Sequence, residues 1–300
     1  NILFGKHLGV FGNSGSGKTC TVVSVIQRYI RGNPDRDIKF IILDVNGEYK
    51  SAFKPDEYEY IPFDDLRLHH SKLNYPEYGR LFRAAEGMQY PAMRDRIELL
   101  VGLNQKWDLS ALNPALDKWI DDHTPNNPRM PVQKDMFTKN TLNGYLRTMR
   151  LRIDGITSDA ALMRVINSPN DTETLDRIIE SDRKVFILDL QVSSDSLDIV
   201  IYLLFKSIYE MKARRSNQTH LCLVLEEAHR YINSDSAETR LGNYYIDKLS
   251  REGRKFGIGL IISSQVPSML NNSIVSQCNS VIMHKVTNRQ DREFLQNVQI

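Results

Sequence analysis

Cysteine is scarce in this 300-residue chain, and long apolar runs are absent. The three cysteines, Cys20, Cys222 and Cys278, lie far apart without C-x-x-C spacing. This pattern favours neither a zinc site nor a disulfide framework, and it is typical of a reducing compartment. No apolar run approaches the roughly 18 residues that a membrane-spanning helix needs. We therefore expect a cytoplasmic protein with no membrane partner.

The chain also has little excess charge, with a formal net charge of +2. That surplus is too small to indicate a polyanionic partner by itself, so a nucleic-acid site would have to come from local clusters of basic residues. The sequence contains no internal repeat and no low-complexity tract. Its hydrophobic share of 41% is instead typical of a globular protein with a sizeable core.

Near the start of the chain lies a complete phosphate-binding loop, G-N-S-G-S-G-K-T at residues 12–19, between an apolar stretch and a helix-compatible stretch. Its glycines let backbone N–H groups approach a phosphate at the positive end of the following helix. Lys18 should reach the β- and γ-phosphates, and the Thr19 hydroxyl should coordinate Mg²⁺, so ATP and Mg²⁺ are the expected cofactors. The predicted nucleotide contacts are Gly12, Asn13, Ser14, Gly15, Ser16, Gly17, Lys18, Thr19 and Cys20.

Short apolar runs alternate with helical patterns at both ends of the sequence, which indicates an α/β fold with a mostly parallel sheet. Strands are predicted at 7–11, 38–43, 185–190, 221–225, 258–263 and 280–284, and helices at 18–30, 197–214, 237–256 and 289–296. The middle of the chain lacks buried-strand runs and shows amphipathic stretches. We therefore expect a core formed by residues 1–61 and 183–300, with a mostly helical subdomain inserted at 62–182.

Two adjacent acids, Glu226 and Glu227, end the apolar stretch 221–225, which is the arrangement of a Walker B element. One carboxylate at such a strand end orients the water around Mg²⁺, and the next polarises the water that attacks the γ-phosphate. We assign the metal-side role to Glu226 and the general-base role to Glu227, because the residue that adjoins the apolar run usually faces the metal. The alternative is a pair of solvated acids that only end a strand.

Polar residues follow two other predicted strands. Gln265 comes after 258–263, where it could bond the γ-phosphate or the attacking water, or only terminate the strand. Asp44 and Glu48 follow 38–43 and place an acid pair near the same edge, since ligands sit beyond the carboxyl ends of parallel strands. A plain turn at residues 46–47 fits this segment equally well.

Basic residues give two further hypotheses. Arg251 and Arg254 end the helix that precedes the strand 258–263, where they would stabilise the helix terminus or serve as an arginine finger for a neighbouring subunit. Two basic clusters could contact DNA phosphates: Arg147, Arg150 and Arg152 in the insertion, and Lys212, Arg214 and Arg215. The alternative for each cluster is a solvated helix face.

Taken together, these motifs resemble the HerA family of hexameric DNA translocases, part of the HerA/FtsK group of RecA-like motors. The resemblance rests on the loop at 12–19, D-V-N-G-E-Y at 44–49, L-V-L-E-E-A-H at 223–229, R-E-G-R-K-F-G at 251–257 and S-S-Q-V-P-S at 263–268. These segments occur in the family's order. The family often has His at the position of Asn46 and Arg at that of Val266. Its amino-terminal β-barrel and carboxy-terminal segment are not in this chain, which begins at Asn1, so we expect a trimmed core.

The resemblance implies a RecA-like P-loop NTPase that works as a hexameric ring, with ATP bound between subunits. The implied catalytic residues are Glu227, Glu226, Lys18, Gln265, Glu48 and, in trans, Arg251 or Arg254, and the implied metal ligands are Thr19 and Glu226. Double-stranded DNA would thread the pore, and a nuclease or sirtuin-like effector would be the partner in DNA end processing or anti-phage defence. Two alternatives stay open: a secretion- or conjugation-type ATPase, and a nucleotide-gated scaffold that activates an effector.

Overall fold

The computed structural model describes residues 7–124, 137–168, 173–214, 219–232 and 242–297. The chain divides into two compact units: unit 1 comprises residues 1–66 and 172–300, and unit 2 comprises residues 67–171. The sequence pattern places the insertion at 62–182, and the structure divides the chain at 66 and 172. The two units are described separately below.

Unit 1 is built on a seven-stranded sheet with the strand order β3-β4-β2-β5-β6-β1-β7. Its strands are β1 His7–Phe11, β2 Ile38–Asp44, β3 Tyr58–Ile61, β4 Val185–Asp189, β5 His220–Leu225, β6 Ile258–Ser264 and β7 Cys278–Met283. Every pair of neighbouring strands is parallel. All residues of β2 and β6 are buried, as the continuous apolar runs of a sheet covered on both faces require.

The described α-helices are α1 Lys18–Gly32, α2 Tyr75–Leu81, α3 Gln89–Leu103, α4 Leu112–Asp122, α5 Lys139–Thr157, α6 Ala160–Ile166, α7 Thr174–Glu180, α8 Ser194–Arg214, α9 Gly242–Glu252, α10 Asn272–Val275 and α11 Arg289–Asn297. In unit 1, α1 buries Val22, Val23 and Ile26 in a core shared with β1, β2 and β5. Because that core fixes α1 against the sheet, it also fixes the loop that joins β1 to α1.

The six predicted strands are confirmed within two residues at each end, and β3 was not among them. The predicted helices 18–30, 197–214 and 289–296 are confirmed as α1, α8 and α11. The predicted helix 237–256 is confirmed from Gly242 to Glu252 and continues as 3₁₀ turns to Phe256. Its first residues, 237–241, lie outside the described part of the chain.

Unit 2 is helical in its described residues, with α2 to α6 around a core of aliphatic and aromatic side chains. At its centre the buried His70 ring packs edge-on to Trp107, with ring centroids 4.7 Å apart. Among the described residues, neither unit has a helix that is long and apolar enough to cross a bilayer.

Candidate active site

The loop at residues 12–19 joins the end of β1 to the start of α1. Gly15 and Gly17 adopt φ angles of +69° and +94°, the left-handed region that only glycine enters at little cost. The Gly12 N–H donates to the carbonyl oxygen of Ser264 at 3.3 Å, which ties the loop to the end of β6. Because α1 begins at Lys18, its unpaired first N–H groups lie beside the loop and favour an anion there.

Two side chains at the start of α1 carry the chemistry of the loop. The ammonium of Lys18 is buried, and its Nζ donates to the carbonyl oxygen of Asn13 at 3.2 Å. The Thr19 hydroxyl donates to Oε2 of Glu48 at 2.8 Å. A cation, a hydroxyl and a carboxylate therefore lie next to each other where the loop would meet phosphates.

The two acids at the end of β2, Asp44 and Glu48, have different roles. The Asp44 carboxylate accepts hydrogen bonds from the backbone N–H groups of Gly47, Glu48 and Tyr49, at 2.8, 3.1 and 3.0 Å. Those bonds occupy both of its oxygens and fold the segment into a turn. The turn at residues 46–47 is therefore real, and it also delivers the Glu48 carboxylate to Thr19.

Glu226 is buried directly after β5, with 1% of its surface exposed. Burial raises the pKa of its carboxyl to about 7, and the neighbouring charges of Glu227 and Glu48 add to that rise. The Tyr49 hydroxyl donates to Oε2 of Glu226 at 2.6 Å and opposes the shift. A cation held near this carboxyl would favour its charged form.

Glu227 differs from its neighbour in backbone and in contacts. Its φ and ψ angles of 45° and 49° are left-handed, which costs free energy in a residue that is not glycine. The side-chain amide of Gln265 donates to Oε1 of Glu227, and the Gln265 N–H donates to Oε2 at 3.3 Å. The ring nitrogen Nδ1 of His229 lies 3.3 Å from the same Oε2. Three groups therefore hold this carboxylate in one place.

The structure brings six of the predicted site residues to one edge of the sheet of unit 1. They follow the carboxyl ends of β1, β2, β5 and β6, where parallel α/β sheets bind their ligands. These residues are Lys18, Thr19, Glu48, Glu226, Glu227 and Gln265.

Arg251 and Arg254 are not part of this cluster. They precede the start of β6, whereas Gln265 follows its end, and a strand of this length spans about 20 Å. Arg254 donates to the carbonyl oxygen of Gln277 at 3.3 Å and to the side chain of Asn279, at the start of β7. Arg251 forms an ion pair with Asp247 at 3.0 Å. Within one chain, both arginines lie at the opposite edge of the sheet.

The remaining loop residues differ in their surroundings. The side-chain amide of Asn13 donates to the Thr287 hydroxyl at 2.6 Å, and Cys20 is exposed on the first turn of α1. The Ser16 hydroxyl oxygen is buried and has no hydrogen-bond partner among the described residues. A buried hydroxyl without a partner inside the loop fits a ligand with phosphate oxygens.

The donor set also fits Mg²⁺, which prefers oxygen ligands and commonly takes one or two carboxylates together with substrate phosphates. Thr19 and Glu48 supply such oxygens 2.8 Å apart. Within the described residues no group of three or more His, Cys, Asp or Glu side chains is arranged to hold a metal ion. A cation here would therefore depend on the nucleotide for most of its ligands.

Sequence reasoning missed three contacts of this site. The motif L-V-L-E-E-A-H contains His229, and D-V-N-G-E-Y contains Tyr49. Their positions in these motifs could have marked both as site residues. His284 lies after β7 and contacts Ser16 in the loop and Thr21 on α1. No local pattern marks it, because its partners are more than 260 positions away in the sequence.

One predicted basic cluster is wrong in part. Lys212 is buried, and its Nζ donates to the carbonyl oxygen of Thr219, so it is not available to phosphates on the surface. Arg214 is exposed, and Arg215 lies outside the described residues. In unit 2, Arg150 forms an ion pair with Asp117 at 2.8 Å.

Comparison with known families identifies the lineage of the chain. Residues 1–208 match the family described as "Helicase HerA, central domain". The chain belongs to this family. The assignment agrees with the resemblance that the sequence motifs carry, of which the loop at 12–19 and D-V-N-G-E-Y at 44–49 lie within the matched residues.

Curated relatives in the HerA family match almost all of the chain. "DNA double-strand break repair helicase HerA" of Saccharolobus solfataricus is 26% identical over 97% of this chain and 57% of the relative. The protein of the same name from Sulfolobus acidocaldarius is 25% identical over the same shares. The chain therefore spans a little over half the length of these relatives.

Two solved structures share the fold. VirB4 of Thermoanaerobacter pseudethanolicus matches with a TM-score of 0.65 and 14% identity, over 98% of this chain and 80% of that chain. The bacterial conjugative coupling protein TrwBΔN70 matches with a TM-score of 0.60 and 13% identity, over 94% and 70%. The predicted fold class, a RecA-like α/β fold with a mostly parallel sheet and an inserted helical subdomain, is confirmed, and the described sheet is parallel throughout.

Proposed function

We propose that this HerA-family chain is the ATP-hydrolysing motor domain of a double-stranded DNA translocase that works as a ring. The observation that carries the proposal is the single cluster at one sheet edge. It joins a phosphate-binding loop with Lys18 and Thr19 to a carboxylate, Glu227, that Gln265 holds in place. Few reactions other than nucleoside triphosphate hydrolysis need the ammonium of Lys18, the hydroxyl of Thr19, the carboxylate of Glu227 and the amide of Gln265 together.

The loop residues 12–20 would bind the phosphates of ATP, with Lys18 as the point charge. Thr19 and Glu226, together with Glu48, would hold Mg²⁺. When bound, Mg²⁺ neutralises charge on the phosphate oxygens. TrwB, which shares the fold, has been solved with a non-hydrolysable ATP analogue and with ADP and Mg²⁺. Those complexes support ATP and Mg²⁺ as the ligands here.

Glu227 would act as the general base. Its carboxylate would accept a proton from the water that attacks the γ-phosphate, and the Gln265 amide would orient that water. In the described state the Gln265 amide donates to Glu227 itself, so Gln265 has to turn toward the water before the carboxylate is free. Lys18 would neutralise the charge that develops on the phosphate oxygens.

The proposal places a second subunit at each site. Arg251 or Arg254 would reach the γ-phosphate of a neighbouring chain, because within one chain both lie at the far edge of the sheet. A closed ring of identical subunits, a hexamer in this proposal, would pair one edge with the other around the whole assembly.

Double-stranded DNA is the proposed substrate. Two curated relatives bear the name "DNA double-strand break repair helicase", which supports this assignment. Arg147 and Arg152 on α5 are candidate phosphate contacts. A nuclease or sirtuin-like effector would act with the ring in the cytoplasm, in DNA end processing or anti-phage defence.

The test is steady-state ATP hydrolysis by the full-length protein, with and without linear duplex DNA, at two salt concentrations. We expect duplex DNA to raise turnover, and salt to reduce that stimulation as it screens phosphate contacts. Turnover that ignores DNA at both salt concentrations would contradict the motor and direct attention to the scaffold alternative.

The Glu227→Gln variant tests the assigned base. We expect it to bind ATP as the unmodified protein does and to lose at least about 100-fold in turnover, because general-base catalysis contributes on that scale. Glu98→Gln on the exposed face of α3 is the matched control and should hydrolyse ATP normally. If Glu227→Gln retains more than a tenth of normal turnover, Glu227 is not the base.

A further inference from the structure

His284 is the first residue after β7, the strand that pairs with β1 on the side away from β6. Its ring lies against the phosphate-binding loop. Nδ1 is 2.8 Å from the carbonyl oxygen of Ser16, and Nε2 is 3.1 Å from the hydroxyl of Thr21. The ring therefore contacts the chain on both sides of Lys18 and Thr19.

These two contacts determine which nitrogen of the neutral ring carries the proton. A carbonyl oxygen only accepts hydrogen bonds, so Nδ1 must donate to Ser16. In the neutral ring Nε2 is then bare and accepts from the Thr21 hydroxyl. Both nitrogens have a partner, and the ring is fixed in one orientation.

The loop also fits closely around this residue. A Cβ atom added to Gly12 would lie 2.5 Å from Cβ of His284, so the chain at position 12 can approach β7 only as glycine. The backbone N–H of Asn13 donates to the carbonyl oxygen of Lys285 at 2.9 Å, and its side chain donates to the Thr287 hydroxyl. Residues 284–287 therefore follow the loop along one side.

A phosphate-binding loop works by turning its N–H groups inward, which turns its carbonyl oxygens outward. Each outward carbonyl needs a donor, because an unpaired carbonyl can rotate toward the cavity and repel a phosphate. His284 supplies that donor to Ser16, in the middle of the loop. Donors that are aligned before the ligand arrives bind it more tightly, since less order is lost on binding.

We propose that His284 is a positioning residue for nucleotide binding: its Nδ1–H holds the Ser16 carbonyl outward and keeps the loop shaped for phosphate. This inference rests on the proposed function, since it assumes that the loop binds ATP. The loss of this hydrogen bond should lower the affinity for ATP. Glu227 and Gln265 follow other strands, so turnover at saturating ATP should change little while KM rises.

The test uses two variants that each retain one of the two ring contacts and a third, His284→Ala, that retains neither. The side-chain nitrogen of asparagine can occupy the place of Nδ1 and donate to Ser16, whereas that of glutamine can occupy the place of Nε2 and reach only Thr21. The probe is a fluorescent ATP analogue with Mg²⁺, titrated into the intact protein. We expect Kd to rise about tenfold in His284→Ala and His284→Gln, and to stay within about threefold of normal in His284→Asn.

His123→Ala in unit 2 is the matched control and should bind the probe normally. Thermal unfolding of every variant identifies any that fail to fold. A second measurement needs no variant: the ring ¹⁵N signals of His284 in the intact protein should show the proton on Nδ1. Finding it on Nε2 overturns the proposal, even if His284→Ala does not fold.

The outcomes separate this inference from the function on which it rests. If the intact protein binds the analogue and His284→Ala binds it equally well, the positioning role is overturned and the ATPase proposal stands. If His284→Asn is as weak as His284→Ala while both fold, the Ser16 bond is not the cause. If the intact protein does not bind the analogue, or if Lys18→Ala binds it as tightly as the intact protein does, the proposed function fails and this inference fails with it.

Discussion

Glu226 and Glu227 are neighbours in sequence with opposite surroundings. The buried Glu226 carboxyl accepts a hydrogen bond from the Tyr49 hydroxyl, and burial raises its pKa to about 7. The Glu227 carboxylate is held by Gln265 and His229 on a left-handed backbone turn. Because the turn rotates the chain between them, the two acids face different partners, which supports separate roles for them in the proposed mechanism.

The Tyr49 hydroxyl is the partner on which buried Glu226 depends. In Tyr49→Phe the carboxyl loses a 2.6 Å hydrogen bond and gains no water, so we expect the free energy of unfolding to fall by about 1–2 kcal/mol. Urea unfolding followed by circular dichroism measures this change.

Tyr58→Phe is the matched control for that measurement, because the Tyr58 hydroxyl has no hydrogen bond among the described residues. It should change stability by less than about 0.5 kcal/mol. Equal losses in the two variants would mean that the hydrogen bond from the Tyr49 hydroxyl to Glu226 contributes nothing to stability.

At the scale of elements, the sequence predicted the strands that are buried on both faces of the sheet. β2 and β6 are continuous apolar runs and were found with nearly correct ends. β3 was missed because three of its four residues are only half-buried, so its Tyr-Glu-Tyr-Ile pattern is not a buried run. The contact of His284 was beyond local patterns, since it depends on which strand ends meet.

In unit 2 the His70 ring contacts Trp107 and Tyr78, and it makes the unit sensitive to acid. Nε2 donates to the carbonyl oxygen of Trp107 at 2.9 Å, and Nδ1 lies 2.8 Å from the Tyr78 hydroxyl on α2. Burial lowers the pKa of His70 to about 3, and the nearby His69 adds to the shift. The ring is therefore neutral in the folded protein at every pH above about 3.

The sign of the pH dependence follows from proton binding. Between pH 6.5 and 3 the unfolded chain binds a proton at His70 that the folded chain does not, so stability falls as pH falls through this window. From pH 7 to pH 5 we expect His70 alone to remove about 2 kcal/mol from the free energy of unfolding. Urea unfolding at the two pH values measures the loss.

His70→Gln isolates this contribution, because glutamine does not titrate. The variant should be less stable than the unmodified protein at pH 7 and should lose about 2 kcal/mol less between pH 7 and pH 5. His69, whose pKa burial lowers to about 4, stays in both proteins and cancels from the comparison. Parallel pH profiles would contradict the assignment to His70.

At the scale of the whole molecule, the sheet of unit 1 separates two sets of functional groups. Lys18, Glu227 and Gln265 lie at the carboxyl edge, and Arg251 and Arg254 lie at the amino edge, about 20 Å away. A strand cannot shorten, so no motion within the sheet brings the two sets together in one chain. If Arg251 or Arg254 takes part in hydrolysis, it must come from a second copy.

That geometry gives the last prediction, which uses mixtures of inactive subunits. Glu227→Gln and Arg254→Ala proteins, each inactive alone, should regain turnover when mixed, because some interfaces then pair an intact Glu227 with an intact Arg254. With independent sites and random assembly, about a quarter of the interfaces in an equal mixture are intact. The same experiment with Arg251→Ala shows which arginine acts between subunits. Only the variant that lacks the acting arginine should be inactive alone and regain turnover when mixed with Glu227→Gln. If neither mixture exceeds the sum of its components, although the subunits exchange, then neither arginine completes the site of a neighbour.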